Sequence, residues 1–254
     1  MPYVGTSEGD IFFTVKSGPT EGPRLVLLHG AGGSRLHWPA GLRQLVGATV
    51  YTLDLPGHGR SEGQGCEAIS CYADVVAAFL DAAGLDRVTV VGHSMGGAIA
   101  QTLALDHSRR VSAVGLIATG ARLRVSPVIL ETIQQDFERA VELITRYAWS
   151  PQADASLTDL GRDALQDTGP DVLLNDFLAC DRFDVMDRLD EIQVPALVVS
   201  GTADRLTPAK YARFLTERIP NTRLVTVDGA GHMVMLERPE VVTEAIRDFV
   251  PHQR

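Results

Sequence analysis

Gly92-His93-Ser94-Met95-Gly96 sets a serine between two glycines, after the β-rich run VTVV and before a segment with helical periodicity. With that context, G-x-S-x-G describes a chain that turns sharply from strand into helix and holds the serine hydroxyl clear of the backbone. A serine hydroxyl is a weak nucleophile until a base takes its proton, and the base needs a third group to orient it. Asp204 lies 204 − 94 = 110 residues downstream, in VVSGTADRLTP, directly after the strand-like run at 196–199. His232 follows in DGAGHMVMLERP, after a second such run at 223–227 and before a helix expected to start near Pro239. Both loops leave the carboxyl ends of strands, the rim that also presents Ser94. The competing meanings are an ordinary strand-to-helix turn for Ser94 and a structural role for a lone histidine. The three residues together favour Ser94 as nucleophile, His232 as base and Asp204 as its orienting acid.

These groups need a scaffold, and the order of elements supplies one. Apolar runs at 24–29, 48–55, 87–92, 111–117, 196–199 and 223–227 alternate with helical segments such as 70–83 and 95–107. That alternation reads as βαβ units and an α/β fold with a mostly parallel sheet, to which a strand over 11–15 adds an antiparallel edge. The rhythm stops after Gly120. From Ser126 to Leu189 the pattern is helical: Ser126 caps a helix with Pro127 at its first position, and Ile129, Ile133, Phe137, Val141, Ile144 and Ala148 share one face. Shorter helices are expected around 156–166, 170–179 and 182–189. The division is a core of 1–120 and 191–254 carrying a helical lid over 121–190.

The lid holds 14 acidic and 7 basic residues, a net of −7 against −9 for the whole chain of 254. An ordinary solvated face accounts for this. A second meaning is a lid that disfavours strongly anionic ligands. The acidic balance argues against nucleic-acid binding, which needs clustered Lys and Arg. No apolar run approaches the ~20 residues of a membrane span. Residues 1–10 lack a basic segment followed by an apolar stretch, so no signal peptide is expected and a cytoplasmic location is. Cys66, Cys71 and Cys180 have no metal-ligand spacing. In a reducing compartment three thiols are expected, although the spacing leaves a Cys66–Cys71 bridge open.

HGAGGS at 29–34, DLPGHGRS at 54–61, GHSMGG at 92–97 and the late Asp204 and His232 loops, in that order, resemble the α/β-hydrolase superfamily, in its small serine carboxylesterase and lactonase-like branch. The resemblance covers about 20–120 and 190–250. It implies an oxyanion hole made by the backbone N–H groups of Ala31 and Met95, which strengthen as the substrate carbonyl oxygen becomes charged. The glycine stretch at 30–33 lacks the endings of a phosphate loop. Asp54, His58 and Arg60 are read as a structural loop network, and His29 and His93 as residues that orient loops. Gly30, Trp38, Phe137, Trp149, Phe177 and Met233 are candidates to line an apolar substrate pocket, with Met95 and Met235 as weaker ones. No cofactor or metal is expected, because a serine triad carries out acyl transfer without one.

The expected function is therefore hydrolysis of a small to medium carboxylic ester, or a lactone, through an acyl-enzyme, with no nucleic-acid or membrane partner. Family alternatives are an enol-lactonase, a carbon–carbon bond hydrolase and a cofactor-free haloperoxidase. Ser94 argues against a dehalogenase, which usually carries aspartate there. A different class is a ligand-binding protein that keeps the scaffold without catalysis.

Overall fold

Apolar β-branched runs that are buried on both faces belong in the middle of a parallel sheet, and the computed structural model, which describes residues 2–250, places them there. Its eight strands are β1 (Tyr3–Thr6), β2 (Gly9–Lys16), β3 (Arg24–Leu28), β4 (Thr49–Leu53), β5 (Val88–His93), β6 (Val111–Ile117), β7 (Ala196–Gly201) and β8 (Thr222–Val227). They lie in the order β1-β2-β4-β3-β5-β6-β7-β8. The pairs β1/β2 and β2/β4 are antiparallel and the others parallel. The antiparallel edge has two strands where the sequence pattern gave one, because Tyr3–Thr6 folds back on Gly9–Phe12.

Alternate residues of a strand face opposite sides of the sheet, and β3 feeds two cores in this way. Val26 and Leu28 join the cluster containing Phe79, Ile99 and Leu103, while Leu25 and Leu27 join Trp38, Leu42, Val242 and Ile246. The helices that cover the sheet are α1 (Ala40–Arg43), α2 (Ile69–Ala82) and α3 (Met95–Asp106) before the break in rhythm. After it come α8 (Ala209–Arg218), α9 (Val234–Glu237) and α10 (Pro239–Phe249).

Between β6 and β7 stand α4 (Pro127–Gln135), α5 (Phe137–Ala148), α6 (Ala155–Thr168) and α7 (Pro170–Arg182). They share a small core of their own in which Ile133, Val141, Ile144, Leu165 and Leu173 are buried. The continuous helix expected from Ser126 is two helices. Asp136 ends α4 with φ −153° and caps α5, its carboxylate accepting from the Arg139 N–H at 3.1 Å. An aspartate at that place satisfies the free N–H groups of a new helix better than it continues an old one. The segment expected as a helix over 182–189 is a 3-10 turn at Met186–Glu191. Cys66 and Cys71 correct a further expectation, since they form a disulfide. The loop entering α2 brings their Cα atoms to 6.0 Å, inside bridging range. Cys180 is the free, buried thiol.

Candidate active site

Ser94 sits at the β5–α3 turn with φ 51° and ψ −114°, a backbone conformation that costs a non-glycine residue on the order of 1–3 kcal/mol. Four bonds hold it there: its N–H donates to Ile117 O at 2.9 Å, and its carbonyl accepts from Gly97 N and Thr119 Oγ1, each at 2.8 Å, and from Ala98 N at 3.2 Å. The flanking glycines are needed for space. A Cβ on Gly92 would collide with the backbone of Gly96, and one on Gly96 with the carbonyls of Leu28 and His29.

The acid and base come together from two separate loops. His232 Nδ1 meets Asp204 Oδ2 at 3.0 Å, and both side chains are almost wholly buried. Asp204 Oδ1 accepts from the N–H groups of Leu206 and Thr207, both at 2.9 Å, and Oδ2 from Thr207 Oγ1 at 2.7 Å. Burial alone would raise the Asp204 pKa, but the neighbouring imidazole and these donors outweigh it and hold the carboxyl below its usual value. An ionised Asp204 fixes the tautomer with the proton on Nδ1, which leaves Nε2 with its lone pair free for a hydroxyl proton.

The His232 loop is itself anchored. His93 Nε2 lies 3.0 Å from His232 O, and the Glu237 carboxylate accepts from Gly231 N at 3.0 Å and from Ser150 N at 3.3 Å. The Met233 N–H donates to Ala148 O at 3.1 Å, tying the loop to the end of α5. Burial and the nearby His232 hold His93 neutral, well below the usual histidine pKa, as suits an orienting group.

Ser94 and His232 open onto one cavity of about 530 Å³. Of the residues expected in the pocket, Gly30, Trp149, Phe177 and Met233 line it, and so does Ala31, expected as an oxyanion donor. Trp38 and Phe137 do not. Trp38 is buried with Leu42 in the sheet's second core, because the turn at Arg35–His37 carries it under the sheet. Phe137 packs against the core of the insertion, where its helical spacing directs it. Met95 and Met235 are likewise fully buried core residues outside the lining. The N–H of Met95 is the first of α3, where helix geometry leaves it without an internal partner. Among the described residues, neither it nor the N–H of Ala31 donates a hydrogen bond, so both can serve a developing anion.

Sequence reasoning missed the group that ties the glycine loop to the insertion. Asp176, on α7, is fully buried; its Oδ2 accepts from Gly32 N at 2.8 Å and lies 2.9 Å from His58 Nε2, and its Oδ1 accepts from the Tyr72 hydroxyl. His58 Nδ1 faces the Pro56 carbonyl at 2.9 Å. Both ring nitrogens thus face acceptors. Burial pulls the His58 pKa down, but the Asp176 carboxylate beside it prevails and raises it. Asp54 accepts from Arg35 and from the Arg60 N–H, which bears out the structural network expected of that loop. His29 reinforces it, accepting the Leu55 N–H at Nε2 and donating from Nδ1 to Gly30 O. A carboxylate at position 176, between the buried Leu173 and Cys180 on the apolar stripe of α7, was the available signal. Thr207, three residues beyond Asp204, was legible as a turn that such an aspartate closes.

Glu8, Cys66 and Cys71 are the group of metal-type side chains gathered among the described residues, and both sulfurs are spent in the disulfide.

Residues 25–245 match the model of the Alpha/beta hydrolase family. The chain is 30% identical over 251 residues to a pimeloyl-[acyl-carrier protein] methyl ester esterase of Neisseria meningitidis serogroup B, covering 92% of this chain and 95% of that one. Among solved structures it is similar to a thermophilic esterase, with 34% identity, a TM-score of 0.85 and coverage of 97% and 95%. It is also similar to the enol-lactonase from Burkholderia xenovorans LB400, with 25% identity, a TM-score of 0.90 and coverage of 98% and 99%.

Proposed function

We propose, for a chain that belongs to the alpha/beta hydrolase family and is a carboxylic ester hydrolase, that hydrolysis proceeds through an acyl-enzyme on Ser94. The observation that carries this reading is the placement of a conformationally strained Ser94 and an Asp204-oriented His232 on one cavity. His232 Nε2 takes the hydroxyl proton as Ser94 Oγ attacks the ester carbonyl, and the Ala31 and Met95 N–H groups receive the tetrahedral oxyanion. The C–O bond to the alcohol breaks with the proton returned from His232. Water, deprotonated by the same nitrogen, then releases the acid and frees Ser94.

The substrate class is a small to medium ester, since the cavity walls are mostly apolar around Trp149, Leu165, Phe177 and Met233. The four helices over 127–182 act as its lid, because each lines the cavity, with Ile129 on α4, Ile144 on α5, Leu165 on α6 and Phe177 on α7. A lactone is a cyclic ester open to the same attack, and the likeness to an enol-lactonase supports including it. The test is turnover of p-nitrophenyl esters of increasing acyl length and of neutral lactones by the wild type and Ser94→Ala. Turnover of a short ester that depends on Ser94 is expected. Equal turnover by the two proteins would discard the nucleophile.

A further inference from the structure

The insertion carries a net −7, yet among the described residues the Arg and Lys side chains that line the active-site cavity are Arg124 and Arg205, and no Asp or Glu lines it. Arg124 also lines a second hollow of about 350 Å³, where the chain leaves the core for the insertion and returns from it. Arg122 and Lys210 complete the charge of this hollow, and Tyr211 and Phe214 form its apolar wall. Tyr211 and Arg124 line both spaces, so the two adjoin.

The carboxylates nearby hold these cations loosely. Arg122 meets Asp184 at 3.5 Å and Arg124 meets Asp181 at 3.9 Å, in pairs where every side chain is substantially exposed. Exposed pairs of that geometry contribute little and yield readily to a better anion. Lys210 and Arg205 make no ion pair among the described residues; each lies over a tyrosine ring, of Tyr211 and Tyr147 respectively. Two guanidinium groups and an ammonium around one hollow, beside an aromatic wall, match a terminal oxyanion on an apolar stem.

We propose that this second hollow is a subsite for an anionic group, carboxylate or phosphate, at the far end of the substrate whose ester reaches Ser94. The inference rests on the ester-hydrolase reading and names the substrate within it. Local charge around the two hollows, not the summed charge of the insertion, sets the preference.

The experiment compares three esters of matched length, ending in a carboxylate, a phosphate or a neutral carboxamide. kcat/KM is measured across ionic strength for the wild type, Lys210→Glu and Arg122→Gln. The wild type is expected to favour an anionic ester over the carboxamide by about tenfold at low salt, the ratio falling as salt screens the charges. Each variant should bring that ratio toward unity, and a ratio cancels any general loss of folded protein. The larger of the two anionic ratios identifies the occupant. Calorimetric binding of the same esters to Ser94→Ala reads the subsite without turnover. If no ester is turned over but the binding ratio persists, the hydrolase reading fails and the subsite stands. A turnover ratio at or below unity in the wild type with a binding ratio at or below unity in Ser94→Ala, or a turnover ratio that both variants leave unchanged, overturns the subsite.

Discussion

Asp176→Ala should be among the most damaging single changes outside the Ser94–Asp204–His232 set. The substitution removes a fully buried carboxylate that accepts from Gly32 N, from His58 and from Tyr72. It leaves the buried His58 ring without the carboxylate that raises its pKa, with Nε2 facing an empty space. Breaking one partner of a buried pair costs about 3–5 kcal/mol. The orphaned Gly32 and Tyr72 donors add to this, though not additively, since all three belong to one network. About 4 kcal/mol is expected, a large fraction of the 5–15 kcal/mol that usually holds a domain. Asp176→Asn keeps the shape and one acceptor but loses the charge, and about 2 kcal/mol is expected.

The pH dependence separates the charge from the shape. His58 has a folded pKa raised above its unfolded value, so its stabilisation is complete below about 6.5 and is lost as pH rises through the folded value. His37, depressed to about 4 chiefly by burial, acts oppositely, as do His29 and His93: their stabilisation is present above about 6.5 and fades as pH falls. The loss of stability between pH ~6.5 and about 8 therefore belongs to His58 and should vanish in Asp176→Asn, while near pH ~9 the buried Cys180 thiol, its pKa pushed up by burial, adds a loss of its own. Urea melts at pH steps from 5 to 9 read both quantities. The two N–H groups proposed for the oxyanion include that of Ala31, next to Gly32, so kcat should fall more than KM rises. Wild-type stability within about 0.5 kcal/mol in Asp176→Asn across this range, with unchanged kcat, would refute the reasoning.

Ser94→Ala should keep the fold, lose turnover by about 10⁴-fold or more, and fail to gain mass from a phosphonate that labels the wild type. An equal adduct on both proteins would place the nucleophile elsewhere. Asp204→Asn should slow pre-steady-state acylation by about 10³- to 10⁴-fold with little change in substrate affinity, because an amide neither stabilises the imidazolium nor selects the tautomer. Unchanged acylation would require a different acid. Reduction of the Cys66–Cys71 bridge, which spans a sequence separation of 5, should cost about 2 kcal/mol on the loop-entropy model. Thermal melts with and without reductant should then differ by roughly 4–8 °C, and coincident melts would argue against the bridge contributing.

The elements around Ser94 were readable because local rules and the tertiary fold agree there. A doubly buried parallel strand must be an apolar run, and the two glycines around the serine have a steric purpose that sequence spacing displays. Asp204 and His232 were found through their places after strands, which is a topological signal. The pocket aromatics were harder: Trp149 and Trp38 are equally apolar, and only the turn at Arg35–His37 sends one of them beneath the sheet. Asp136 shows the limit of periodicity, since the apolar spacing from Ile129 to Ala148 runs unbroken through a residue whose side chain caps a second helix.

Charge followed the same division. Composition gives the insertion its −7, but a sum carries no direction, and an aspartate facing solvent counts as much as an arginine facing the ester. Asp176 contributes to that sum while lying fully buried, 2.9 Å from His58 Nε2. The screened reach of an exposed charge is about 8–10 Å, so the four cations around the two adjoining hollows govern the approach of a substrate more than distant carboxylates on the outer faces of α5 and α6. Electrostatic selectivity of this enzyme is therefore a property of which side chains the β6–α4 connection, the β7–α8 loop and the start of α8 bring around the two hollows.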